Sequence, residues 1–235
     1  MPTSPEHPVI HLKHVTLGFD GHSGRTEILK GISLDIPAGQ HVAVLGPSGA
    51  GKTSLLMLMA GLEQQSAGEI KLIGQSIGEM NEDRLASLRG DHIGIVFQAF
   101  RLIPSMTAIQ NVAVPLELSG DRQAASKAEA ALEQLGLGHR LHHLPEQLSG
   151  GEQQRVAIAR AIAPEPSILL ADEPTGNLDS ATGELVISEL FSAAERVGAA
   201  LVLVTHDEML ATRCSRILRI EDGAVLSDKM VQEQK

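Results

Sequence analysis

The chain of 235 residues carries 19 Lys and Arg against 29 Asp and Glu, a formal net charge of −10, with 43 % hydrophobic and 20 % charged residues. That length suits one domain or two small lobes, the composition supports a sizeable core and excludes a disordered chain, and a pI near 5.4 excludes the basic stripe of a protein that coats duplex nucleic acid. The single cysteine, Cys214, forms no internal disulfide, which excludes a stapled secreted scaffold.

In chain order, residues 9–19 and 32–36 read as antiparallel strands ahead of a core whose strands are 41–45, 93–97, 168–171, 201–205 and 217–220. Several of these are apolar at every position, as strands of a parallel sheet buried on both faces are. Helical patterns over 52–60, 180–195 and 207–213 alternate with them in a βαβ rhythm. Residues 99–163 hold Ala, Leu, Glu and Gln at helical spacing and read as an inserted helical subdomain. Glu221-Asp222-Gly223 predicts a hairpin turn before a last strand over 224–226. A loop is expected at 21–24 and frayed chain at 230–235. The first eight residues carry no basic segment followed by an apolar one, and the longest apolar runs, 55–62 and 197–204, reach eight residues against about 20 for a membrane span. The chain is therefore expected not to cross a membrane alone.

Gly46-Pro47-Ser48-Gly49-Ala50-Gly51-Lys52-Thr53 follows a predicted buried strand and opens a predicted helix, with Ser54 next. Glycines let successive backbone N–H groups curl around a phosphate, the helix N-terminus adds partial positive charge, Lys52 reaches the outer phosphates and the Thr53 hydroxyl ligates Mg²⁺. Residues 168–171 end in Asp172 and Glu173, at the sheet edge where α/β proteins bind ligands. There Asp172 holds Mg²⁺ and Glu173 polarises the attacking water. Ser149 and Glu152 form a capping box, yet Gly150-Gly151 in the same first turn weakens helix propensity. Exposed backbone at a helix N-terminus is an anion receptor, so this is read as a second phosphate-binding edge.

With these motifs the chain resembles the ATP-binding cassette of ABC transporters over residues 9–228, nearly its whole length. The octet at Gly46 resembles the Walker A loop, Leu148 to Gln153 the signature motif and Asp172-Glu173 the end of Walker B. Gln98 then resembles the Q-loop glutamine, Asn177-Leu178-Asp179 the D-loop and His206 the switch histidine. Glu173-Pro174-Thr175-Gly176-Asn177-Leu178-Asp179, with Leu102-Ile103-Pro104-Ser105-Met106-Thr107-Ala108, is similar to the lipoprotein-release, macrolide-export and cell-division ATPases, and in texture to their YbbA-like branch.

The resemblance implies an α/β fold: a P-loop NTPase (RecA-like) parallel sheet core, an N-terminal antiparallel β subdomain and a helical subdomain inserted at about 99–163, with flexible termini at 1–8 and 229–235. It implies an ATP hydrolase that homodimerises around two Mg-ATP and drives a separate permease of export or mechanotransmission type. Ser149, Gly150, Gly151 and Glu152 of one copy then face the γ-phosphate held by Lys52 of the other. Gln98 and His206 sense that phosphate, Gln98 also through Mg²⁺, and Asp179 meets the neighbouring chain. Phe19, upstream of the Walker loop, takes the place of the family's adenine-stacking aromatic. Phe97 is assigned to the core, and Phe100 to a face toward the permease, whose contact is expected along residues 100–118. The resemblance further implies a cytoplasmic protein peripheral to the inner membrane. A soluble ABC-type ATPase of DNA repair or translation is the alternative; such relatives add a coiled coil, a second cassette or a basic arm. His139, His142 and His143 are read as a solvated loop, Cys214 as packing within a helix, and Leu185, Val186 and Leu190 as core.

Overall fold

The computed structural model describes residues 8–21 and 24–231, and these fall into two units: one runs up to Leu85 and resumes at Ala200, the other spans Ala86 to Ala199. The expected flexible residues 1–7 and 232–235, and residues 22–23 of the expected loop, lie outside the described residues.

In the first unit β1 (Ile10–Gly21) pairs antiparallel with β2 (Gly24–Ile36) on one side and with β4 (Ala67–Leu72) on the other, and β5 (Gln75–Ser76) pairs with β4. Its buried residues change parity: Ile10 and Leu12 are followed by Val15 and Leu17. An irregularity between Leu12 and Val15 makes the switch, with His14 at φ 49°. The extra residue keeps both halves of the strand facing the core. Gly68 lies against this bulge, where a Cβ would stand 2.4 Å from the His14 carbonyl oxygen. Only glycine fits.

The unit's second layer has the strand order β10-β9-β3-β8. Here β3 (His41–Leu45) runs parallel to β8 (Ala200–Val204) and β9 (Arg216–Glu221), and β10 (Ala224–Met230) returns antiparallel to β9. Asp222 and Gly223 turn the hairpin with φ 47° and 77°, the left-handed pair a tight hairpin needs. Helix α1 (Lys52–Met59) packs on β8 and β2, and the short α7 (Glu208–Ala211) on β3. Helix α2 (Glu82–His92) leads toward the second unit.

There β6 (Ile93–Phe97) runs parallel to β7 (Ile168–Asp172), Phe97 opposite Asp172. The helices of this unit are α3 (Ala108–Leu118), α4 (Ala124–Gln134), α5 (Gly150–Ile162) and α6 (Ser180–Val197). Helix α3 packs on α4 and α5, and α5 on α6 and β6. Residues 99–163 contain helices and two 3-10 turns but no strand, as their composition predicts.

Several local expectations need correction. The structure adds β4, β5 and α2. Helix α7 stops at Ala211, so Cys214 sits in the turn beyond it; it is 2 % exposed, and burial pushes its thiol pKa up to about 12. Leu185 is 51 % exposed while Val186 and Leu190 are buried, because it falls on the solvent face of α6. Lys229 and Met230 pair with Ile217 and Arg216, so the last strand continues past residue 228. Phe97 is only half-buried; the Arg101 guanidinium covers its ring 4.4 Å from the centroid.

Candidate functional site

In the first unit the loop from Gly46 to Gly51 joins β3 to α1. Two of its glycines are set by close packing: a Cβ on Gly46 would lie 2.1 Å from the Ile220 carbonyl oxygen, and one on Gly51 2.8 Å from the Leu29 side chain. Gly51 (φ 96°) and Gly49 (φ 80°) are also left-handed, which glycine adopts without a Cβ penalty. The hairpin turn braces the loop, Gly223 N–H donating to the Ala50 carbonyl over 3.2 Å. Pro47, Ser48, Gly49 and Thr53 are exposed and Ser54 half-buried.

Lys52 is 8 % exposed, and its Nζ donates to the Gly46 and Pro47 carbonyls, each at 2.9 Å. The ammonium curls back over the loop at the helix entrance. The N-cap of α1 is Gly51, with no side-chain cap bond and no acidic residue in the first turn. The first turn of the helix thus brings no acidic side chain of its own to the positive helix end.

His206 leaves the end of β8, whose Val204 pairs with Val44 of β3, so the histidine and the loop emerge from neighbouring parallel strands at the same end. It is exposed between two anchored residues. Thr205 Oγ1 accepts from Asp207 N–H at 3.0 Å, and Asp207 Oδ1 caps α7 through Met209 and Leu210. Phe19 is 50 % exposed, leaving ring surface available for stacking.

In the second unit the register of β6 against β7 brings Gln98, Asp172 and Glu173 to one strand end. Glu173 holds φ 43°, a left-handed backbone costing roughly 1–3 kcal/mol in a non-glycine residue. Asn177 brackets Gln98: its Nδ2 donates to the Gln98 carbonyl at 3.0 Å, and Gln98 Nε2 approaches Asn177 Oδ1 at 3.5 Å. A Cβ on Gly176 would lie 2.5 Å from Gln98 Nε2, so glycine makes the bed on which the glutamine lies.

Ser149 caps α5, its Oγ accepting from Glu152 N–H at 3.3 Å while Ser149 N–H donates to Glu152 Oε2 at 2.8 Å. Arg140 Nε adds a bond to Glu152 Oε1 at 2.8 Å. The Ser149 N–H, with Arg140 beside it, holds the Glu152 carboxyl down at about 2. Gly150 and Gly151 have a packing reason in addition to the anion reading: a Cβ on Gly151 would stand 2.4 Å from Thr182 Cγ2, and one on Gly150 3.2 Å from Leu178. Asp179 caps α6, accepting from Thr182 N–H at 3.1 Å, and the Thr182 hydrogen bonds keep its carboxyl below the ordinary range. His143 Nε2 lies 3.2 Å from Arg140, and among the described residues His139, His142 and His143 belong to no metal-holding group.

Sequence reasoning missed Gln154 and Arg160 of α5, which bond to backbone carbonyls around Gln98. The available signal was the spacing: Gln154 sits four residues before Ile158 on the apolar face of the helix.

The model of the ABC transporter family matches residues 29–176. The ABC transporter ATP-binding protein YbbA of Escherichia coli (strain K12) is 47 % identical over 221 residues, 93 % of this chain and 97 % of that protein. The lipoprotein-releasing system ATP-binding protein LolD of Novosphingobium aromaticivorans is 42 % identical over 220 residues, 93 % and 98 % respectively. Among solved structures, a dimeric form of the bacterial ABC transporter cassette MJ0796 superposes with a TM-score of 0.87 at 38 % identity, covering 95 % of this chain and 99 % of that one. A post-hydrolysis state of the same cassette, with ADP and Pi, matches equally. A glycine-rich loop opening a helix, a carboxylate on a left-handed backbone just past a buried strand, and relatives alike over almost their whole length lead to one assignment: the chain belongs to the ABC transporter family, as an ATP-binding subunit.

Proposed function

We propose that this chain hydrolyses ATP as a homodimer around two nucleotides and so drives a separate membrane permease of export or mechanotransmission type. The observation that carries the reading is the entrance of α1, where a left-handed glycine N-cap, a first turn without acidic side chains and a lysine held on loop carbonyl oxygens suit a polyphosphate. An incoming phosphate takes over the ammonium from those carbonyls without reorganising the helix. Lys52 and the backbone N–H groups between Gly46 and Ser54, Pro47 having none, bind the phosphates and Phe19 stacks on adenine. The oxygen donors of Thr53, Gln98 and Asp172 are of the kind Mg²⁺ takes, and Mg²⁺, when bound, neutralises charge on the phosphoryl oxygens.

Glu173 polarises the attacking water, and His206 and Gln98 orient contacts to the γ-phosphate. Ser149, Gly150, Gly151 and Glu152 complete the site of a second copy, with Asp179 at the same interface. The MJ0796 cassette has a dimeric structure, and the two relatives named above are an ABC transporter ATP-binding protein and the ATP-binding protein of a lipoprotein-releasing system, which favours this reading over a soluble repair or translation ATPase. Among the described residues no helix is long and apolar enough to cross a membrane. The chain works from the cytoplasmic face of the inner membrane as a peripheral subunit, with no nucleic-acid partner and with residues 100–118 meeting the permease.

Glu173→Gln removes the base and keeps the side chain's size, so ATP stays bound uncleaved. Size-exclusion chromatography with Mg-ATP is expected to show that variant as a dimer, and a monomer at saturating nucleotide would count against the sandwich. Lys52→Ala is expected to lower phosphate release by at least about a hundredfold, the range expected when a main stabiliser of transition-state charge is lost.

A further inference from the structure

Helix α5, capped by Ser149, turns two polar side chains inward that the proposed function does not use. Gln154, fully buried, donates from Nε2 to the Phe97 carbonyl at 3.3 Å. Arg160 spreads its guanidinium over two consecutive carbonyls, NH1 to Arg101 at 2.6 Å and NH2 to Phe100 at 2.9 Å. Phe100 and Arg101 are both left-handed, φ 49° and 50°, an arrangement that persists only where the surroundings over-determine it. The helix and the strand before this turn are already locked together, since a Cβ on Gly94 would stand 2.3 Å from the Ala161 carbonyl oxygen. Gln98 is therefore bracketed from α5 on both sides, at Phe97 and at Phe100 and Arg101.

We propose that Arg160 is a positioning residue: its forked bond to the Phe100 and Arg101 carbonyls sets the turn that fixes Gln98, and makes α5 a rigid strut between Gln98 and the Ser149–Glu152 edge. A planar guanidinium spans two adjacent carbonyls at once, which a lysine ammonium on a flexible stem does poorly. The catalytic part of this proposal rests on the ATP hydrolysis proposed above; the structural part does not.

The test uses the full chain with Arg160→Met, which keeps the aliphatic stem and loses the fork, and Arg160→Lys. Tryptic cleavage after Arg101 reports the turn independently of activity. Arg160→Met is expected to accelerate that cleavage about tenfold or more, because the turn opens more often, while binding of a fluorescent ATP analogue changes less than about twofold. In steady state kcat is expected to fall about tenfold with KM nearly unchanged, and the half-saturating Mg²⁺ concentration to rise severalfold. Arg160→Lys should recover part of each loss. Unchanged cleavage and kcat in a folded Arg160→Met variant would overturn the proposal, as would a kcat loss that tracks ATP affinity and melting temperature instead of Mg²⁺. Should Arg160→Met not fold, Arg160→Lys decides by the same readings. A wild-type chain without ATPase activity overturns the hydrolysis reading and leaves the cleavage result to judge the strut.

Discussion

Lys52, Glu173 and Glu152 each carry a charge at the end of a buried element, and each is held differently. Lys52 lays its ammonium on carbonyl oxygens of its own loop; Glu173 sits on a left-handed backbone; Glu152 is tied to Ser149 N–H and Arg140. The hold on Glu152 makes stability depend on pH. Its carboxyl is held at about 2 from an ordinary 4.5, so the stability it adds is present above pH 4.5 and is lost as pH falls toward 2. Glu152→Gln keeps an acceptor for the Ser149 N–H but has no charge, and is expected to cost about 1 kcal/mol near pH 7, the usual scale for a capping interaction. Urea unfolding of both chains from pH 7 to pH 3 should show the gap narrowing below pH 4.5. A gap that widens on acidification would remove the carboxylate from the account.

Among the elements, the fit between α5 and β6 turns on one atom. Gly94→Ala would place a methyl 2.3 Å from the Ala161 carbonyl, forcing strand and helix apart, and is expected to destabilise by about 2 kcal/mol or more. Gly90 on exposed α2 has nothing within 4 Å of its would-be Cβ, so Gly90→Ala should stabilise by about 0.5–1 kcal/mol through helix propensity alone. Denaturant midpoints of the two variants must move in opposite directions. The same contrast explains what was readable in advance. β3, β6, β7 and β8 are short apolar runs with one possible fate. Helix α2 buries Leu88 alone among its side chains, and β4 is fully buried only at Ile70 and Leu72, so neither offers a periodicity to detect. Motif spacing exposed Gln98 and Ser149, but Asn177 and Arg160 reach the segment around Gln98 through backbone carbonyls that no side-chain pattern encodes. Gly150 and Gly151 showed as an anomaly whose packing cause, Leu178 and Thr182, needs three dimensions.

For the whole molecule, the proposed division of the site between two copies makes a quantitative demand. Each chain has a formal charge of −10, so two copies repel at long range and nucleotide must supply the attraction through contacts shorter than the roughly 8–10 Å over which salt screens charge. If Ser149 and Gly151 complete the partner's site, a lone chain binds ATP but hydrolyses it slowly, and the rate depends on how many chains are paired. Phosphate release per chain is then expected to rise with protein concentration and to level off once pairing is complete, following mass action. Dilution over about a hundredfold range at saturating Mg-ATP, with light scattering to report the mass, separates the cases. A constant rate per chain in a sample that scatters as a monomer would mean that one copy owns the entire catalytic site. The close packing of Gly150 and Gly151 against Leu178 and Thr182 would then be the whole reason for those glycines.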